Sequence, residues 1–151
     1  MQKIILLILL VTVYSCGYTS VLKNQNQQDL KLNVKNINGD FQTNSFIKNQ
    51  LKLSSNPNSS KNIDLDIMST YEKIIIAKNA AGIVTDYKIN IGLDFTIVSL
   101  NNKKVNYSDS INVKNTSENF EQLEFEREFK RNFATATKDK LILYLLSLND
   151  N

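Results

Sequence analysis

The chain has 151 residues, of which 42% are hydrophobic and 22% charged, with one cysteine and no histidine. This length predicts a single domain, and the composition is that of a globular protein that buries its own core without a metal or a disulfide. The net charge of +3 is too small to indicate a nucleic-acid partner, and the lack of histidine removes the commonest catalytic base and metal ligand.

The first fifteen residues predict a bacterial lipoprotein signal peptide. Lys3 precedes an almost wholly apolar run over 4–13, which as a helix spans about 15 Å, half of a ~30 Å hydrocarbon core. That run fits the apolar region of a secretory signal. Val13, Ser15 and Cys16 then resemble a lipobox, in which cleavage follows Ser15 and the thiol of Cys16 receives the lipid. An ordinary cleaved signal and an uncleaved anchor are the alternatives.

The single cysteine supports lipidation. Cys16 has no second cysteine to pair with, although the chain carries an export signal. Two or three acyl chains, such as palmitate, at about 0.8 kcal/mol per buried methylene hold a protein firmly to a bilayer. Gly17 follows the cysteine in place of aspartate, which by resemblance to known sorting favours the outer membrane. We therefore expect a signal peptide over 1–15, a lipidated tether over 16–29 and one domain over 30–151.

Hydrophobic alternation predicts the first half of that domain. Leu30, Leu32 and Val34 indicate a strand that ends at the turn 38–40. Asn44 is a candidate N-cap for a short helix that carries Phe46, Ile47, Gln50 and Leu51 and ends in the polar loop 54–60. A second strand follows over 63–76.

The second half is predicted to contain a hairpin and a long helix. A turn over 80–82 leads into the longest alternating run, 83–97, and a turn over 101–104 leads into a strand over 105–113. A helix over about 117–148 follows, with acidic residues near its start, as the helix dipole favours. The predicted fold is an α+β two-layer sandwich in the order β-α-β-β-β-α. Its four-stranded sheet is mostly antiparallel, with two helices on one face and a polar opposite face.

The sequence contains no recognisable catalytic set, metal site or cofactor-binding motif. Asp64 and Asp66 share one face of a strand, but their apolar neighbours indicate a face exposed to solvent. The segment 108–110 offers two hydroxyls and an acid without a histidine base. Lys103 and Lys104, placed at a hairpin tip, are candidates for contacting the phosphates of an anionic glycolipid. Lysines that only confer solubility are the alternative.

The nearly all-apolar segment 141–148 near the C-terminus leaves two interpretations open. It is too short to span a bilayer. Either it is buried in the protein's own core, or part of it docks on another protein.

The start Cys16-Gly17-Tyr18, the Glu-rich opening of the last helix and the β-α-β-β-β-α order together resemble LptE, the outer-membrane lipopolysaccharide-assembly lipoprotein. Ser20 and the Asn-rich tether depart from the family's pattern. The resemblance implies a lipid-anchored protein on the periplasmic side of the outer membrane. Its partner would be the β-barrel LptD, which it plugs and helps to assemble, and its cargo lipopolysaccharide. Another envelope lipoprotein, binding a small lipid or protein without a barrel, is the second hypothesis, and an envelope enzyme is a distant third.

Overall fold

The computed structural model describes residues 30–115 and 119–148. The predicted leader, tether and lipobox lie outside these ranges. The elements follow the predicted order and confirm the α+β fold class: β1 (Lys31–Gly39), α1 (Phe41–Ser54), β2 (Asn62–Lys78), β3 (Val84–Ile97), a short 3-10 helix (Val98–Leu100), β4 (Lys103–Lys114) and α2 (Asn119–Ser147).

The sheet is mixed, with the spatial order β1-β2-β3-β4. β1 runs parallel to β2 because α1 carries the chain back between them, whereas tight connections make the other two pairs antiparallel. With 17 residues against nine in β1, β2 extends well beyond the end of its parallel neighbour. We call the far end of the β2–β3 hairpin, over residues 74–84, the distal end.

The start of α1 corrects the sequence prediction. Gly39, with φ of 106°, turns the chain so sharply that the helix begins at once, and the N-cap is Asp40, not Asn44. The Asp40 carboxylate accepts hydrogen bonds from Thr43 N–H at 2.8 Å and from its hydroxyl at 2.6 Å. The Asp40 side chain thus satisfies one of the backbone donors that every helix leaves free at its first turn.

The turn before β4 also differs from the prediction. Asn101 and Asn102 make it, with left-handed φ values of 54° and 57° that asparagine tolerates better than most residues. Lys103 and Lys104 are therefore the first two residues of β4 and do not form the hairpin tip.

The core lies between one face of the sheet and both helices. Alternate residues of the central strands are buried, as their period-two pattern predicted. The helices contribute Ile47 and Leu51 from α1 and Phe133 and Leu141 from α2. The sheet and the residue just before β1 contribute the buried apolar side chains Leu30, Leu32, Leu65, Ile67, Ile91, Leu93, Phe95 and Ile97. The opposite face of the sheet, which no helix covers, is called the open face below.

The C-terminal apolar segment is mostly buried in this core. Leu141, Ile142 and Leu145 are buried, whereas Leu143 remains 67% exposed. The prediction of a core role thus holds for three of these side chains. Among the described residues, no helix has both the length and the apolar character needed to cross a membrane.

Candidate functional site: the open face of the sheet

Paired amides and carboxylates line the open face. Asn36 donates to Asp66 at 2.8 Å across β1 and β2, and Asn106 donates to Asp94 at 2.6 Å across β3 and β4. Such cross-strand pairs form because residues opposite each other on one face of a sheet lie within side-chain reach. The pairs orient each carboxylate while leaving its remaining oxygen lone pairs accessible.

Asp64 extends the same pattern toward the start of the sheet. Its carboxylate accepts from Asn33 at 3.1 Å and lies 3.5 Å from the Lys35 ammonium. Asp64 and Asp66 therefore both lie on the open face, as their alternation with apolar neighbours predicted. Their observed partners are amides and a lysine, which gives them a structural role in the polar face.

A groove of about 700 Å³ crosses this face. Its floor carries Asp66 and Asp94, and Lys104 stands on one side. Met68 supplies the main exposed apolar side chain, 54% accessible. The remaining lining is polar or backbone: Asn36, Asn38, Ile67, Phe95, Thr96, Val105 and Asn106. This surface can exchange hydrogen bonds with water or with another polar surface along its whole length.

The two candidate glycolipid lysines lie on opposite faces of the sheet. Lys104 pairs in register with Thr96 on the open face, whereas Lys103 pairs with Ile97 on the helix side. The Lys103 ammonium lies 5.3 Å from the centre of the Tyr144 ring, a cation–π contact with α2. The two lysines therefore do not converge on one phosphate, and only Lys104 borders the groove.

A buried polar network joins both helices to β2 on the other side of the sheet. Lys130 of α2 is only 6% exposed, its ammonium lies 3.1 Å from the Asp40 carboxylate, and it stacks 3.6 Å from the centre of the Tyr71 ring. Burial alone would raise the pKa of Asp40, but hydrogen bonds from Thr43 and Lys130 outweigh it and hold that pKa below its ordinary value. The network thus fixes α2 against the start of α1.

The network continues toward the distal end through Glu126. Its carboxylate accepts from the Tyr71 hydroxyl at 2.5 Å and from the Lys73 ammonium at 2.7 Å. Burial is the largest cause that raises the pKa of Tyr71 far above its ordinary value, and the Glu126 carboxylate is the next. Burial would also raise the pKa of Glu126, but the bonds from Lys73 and Tyr71 lower it overall. All these groups are mutually satisfied, which marks a structural network.

Within residues 30–115 and 119–148, no group of three or more histidine, cysteine, aspartate or glutamate side chains could hold a metal ion. In the segment 108–110, the Asp109 carboxylate accepts the backbone N–H of Ser110 at 2.8 Å. The Asp109 carboxylate therefore bonds the adjacent backbone in place of a neighbouring hydroxyl.

The sequence predicted a polar sheet face rich in asparagine but identified neither the asparagine–aspartate pairs nor the buried Lys130. The asparagines alternate with apolar residues in β1 and β4, which places them on the polar face, whereas their partners depend on which strands are neighbours. Lys130 follows Phe129 and precedes Phe133, a helical position beside the buried stripe, but sequence alone gives a buried lysine no partner. Ser15 and Cys16 lie outside the described residues.

Comparison with known proteins identifies the fold. No protein-family model and no curated protein matches the chain. Among solved structures, rare lipoprotein B from Shewanella oneidensis superposes with a TM-score of 0.54 at 10% identity, covering 81% of this chain and 96% of that one. A minor lipoprotein from Acinetobacter baumannii has a TM-score of 0.48 at 12% identity, covering 74% of this chain and 86% of that chain. The chain thus has the fold of rare lipoprotein B.

Proposed function

We propose that the chain is an outer-membrane lipoprotein of the LptE type, lipidated at Cys16, which plugs an LptD-like β-barrel and assists its assembly for lipopolysaccharide transport. The observation that carries the proposal is the lipobox ending at Cys16, followed by a domain with the fold of rare lipoprotein B. At 10% identity, a shared fold does not indicate a shared substrate. The lipobox-like motif supports a location at the membrane, and the shared fold supports a likeness to rare lipoprotein B.

The open face is suited to the lumen of a large barrel. Porin-sized barrels enclose a water-filled, polar interior. The open face presents oriented carboxylates and amides, with Asp66 and Asp94 each held by an asparagine from the neighbouring strand. Such a surface exchanges its hydration for hydrogen bonds to lumen side chains at little cost. The proposed function requires no catalytic group.

Affinity purification from detergent-extracted outer membranes tests the partnership. We expect a tagged full-length chain to co-elute with one large β-barrel protein whose electrophoretic mobility changes on heating. The matched control is Cys16→Ser, which keeps the domain but loses the lipid, and we expect it to leave the membrane fraction. A lipidated chain that elutes alone would overturn the barrel partnership without touching the lipid anchor.

The open-face groove supports the second candidate, an envelope lipoprotein that binds a small lipid or protein without a barrel. Its volume of about 700 Å³ falls within the range of small-molecule sites. In that case the purified chain would be monomeric and carry a bound lipid detectable by mass spectrometry. Lys104→Glu, on the rim of the groove, would reduce the amount of an anionic lipid that co-purifies.

A further inference from the structure

β4 is an outer strand of the sheet, with backbone groups that face away from β3. Asn115 donates its N–H to the Thr85 carbonyl at 2.7 Å. In an antiparallel pair, successive residues direct their backbone N–H and C=O groups alternately toward and away from the partner strand. Because Asn115 bonds toward β3, the odd-numbered residues of β4 face β3 and the even-numbered residues direct their N–H and C=O groups outward. The pairing of β3 with β4 shows no register shift, so this alternation holds along the strand. At Ser110 the outward N–H is taken by its neighbour's side chain, Asp109.

The other outer strand, β1, is protected. Its pairing with β2 shifts register at Lys35, a bulge that interrupts the edge. The loop after α1 covers its first residues, since Leu32 N–H donates to the Ser55 hydroxyl at 2.9 Å and Asn56 N–H donates to the Leu30 carbonyl at 2.9 Å. Among residues 30–115 and 119–148, β4 has neither device, and although lysines mark its two ends, residues 105–113 contain no lysine or proline. Within the described part of the chain, the sheet therefore leaves one edge open to another strand.

A cleft of about 400 Å³ lies between β4 and α2, on the helix side of that edge. Its base is aromatic, formed by Tyr107 of β4 with Phe129 and Phe133 of α2. Burial, and then the nearby Tyr144, raise the pKa of Tyr107 above its ordinary value. An edge strand beside a helix, with a cleft between them, is the arrangement that domains use to bind extended peptides by strand addition.

The charges beside this edge have one dominant sign. Lys103, Lys104 and Lys114 lie on β4, and Lys140 borders the cleft. None of the four forms an ion pair with any residue in the described ranges, and Asp109 is the single acidic residue of β4. An added strand would lie within reach of these ammonium groups, so acidic residues in it would be favoured.

We infer that the β4 edge and its cleft form a docking site for an extended, acidic peptide segment of a partner protein, added as a fifth strand. Backbone bonds to the outward groups of β4 would supply affinity, and apolar side chains of the segment would enter the cleft over Phe129 and Phe133. The segment's carboxylates, on the opposite face of the added strand, would meet Lys104 and Lys114, whose register places them on the open-face side of β4. This inference does not rest on the proposed barrel, although Lys104 and Asn106 border both the edge and the open-face groove.

Fluorescence anisotropy with two labelled ten-residue peptides tests the site on the full mature chain in neutral detergent. In one peptide valine alternates with glutamate, and in the other valine alternates with lysine. We expect the glutamate peptide to bind at least tenfold more tightly, with weaker binding as salt rises, and to slow amide exchange at Asn106, Ser108 and Asn112. Equal affinity for the two peptides, or no binding at about 1 mM, would overturn the inference.

Two variants and one matched control connect binding to the edge. Ser108→Pro removes an outward N–H and should weaken the glutamate peptide at least tenfold, whereas Ser108→Thr should bind like the wild type. The double variant Lys104→Glu/Lys114→Glu reverses both charges on the side of β4 that the glutamates would face, and should reverse the preference toward the lysine peptide. Binding unchanged by the charge reversal would contradict the proposed docking chemistry even if the proline variant failed to fold. A stable dimer paired through β4 would assign the edge to a second copy and overturn the inference.

Discussion

Substitution of Asp40 by asparagine isolates the charge that the buried Lys130 requires. Asparagine caps helices as well as aspartate does, so the start of α1 is retained. Lys130 is 6% exposed and would lose its ion-pair partner, and breaking a buried pair from one side costs about 3–5 kcal/mol. Because the Asp40 side chain is 22% exposed, water relieves part of that cost, and we expect a loss of about 2–3 kcal/mol. At roughly 4 °C per kcal/mol the melting temperature should fall by about 8–12 °C.

Urea denaturation followed by far-UV circular dichroism measures this loss. Lys130→Met, which preserves the aliphatic packing, is the matched partner variant. The double variant should be more stable than the sum of the two single losses predicts, by at least about 1 kcal/mol, because neither charge is then left unpaired. A loss below about 0.5 kcal/mol for Asp40→Asn, or strictly additive losses, would refute the view that this pair fastens α2 to α1.

Three further predictions concern pH and backbone geometry. The folded pKa values of Asp40 and Glu126 lie below their ordinary values of 3.8 and 4.5, so the stability they contribute is full above those values and is lost as pH falls through the lowered ones. Stability that instead rose below pH 4 in acid titrations of the unfolding free energy would contradict this. Tyr71 has a raised pKa, so its contribution to folding stability is full below its ordinary pKa of 10.0 and declines above that value. Tyr71→Phe should flatten this alkaline decline in stability, and an unchanged slope would count against the bond from the Tyr71 hydroxyl to Glu126. Gly39→Ala would place a Cβ atom 1.9 Å from the Ser69 carbonyl oxygen and should cost several kcal/mol or prevent folding, whereas Gly82→Ala, also at positive φ but with no atom within 4 Å, should cost only about 1 kcal/mol. Equal thermal melting of the two alanine variants would refute that contrast.

Periodicity predicted the elements because the central strands bury alternate residues over much of one face. The predicted run 83–97 coincides with β3 from Val84 on, and its members from Ile89 to Ile97 are buried together, whereas Ile83 precedes the strand and is 61% exposed. Asn44 was predicted as the cap of α1 because sequence patterns do not show that Gly39 turns the chain early enough for Asp40 to serve. The choice of Asp40 as the N-cap depends on the positive φ of Gly39, which only the structure provides.

The candidate site was predicted less fully for a related reason. A strand pattern shows that Asp66 and Asp94 point away from the core, but not which strands are neighbours. The asparagine partners of these carboxylates therefore emerged only from the register of the sheet. The separation of Lys103 from Lys104 follows from the same register, because the turn ends at Asn102 and the lysines alternate in β4.

Photo-crosslinking in cells from the open face is the sharpest test of the proposed barrel partner. A photoreactive residue placed at Thr96 or Asn106 lies on the groove, and we expect an adduct with one large outer-membrane β-barrel that disappears in the Cys16→Ser background. Adducts only with soluble periplasmic proteins, or none from either position in a chain of proven lipidation, would contradict it.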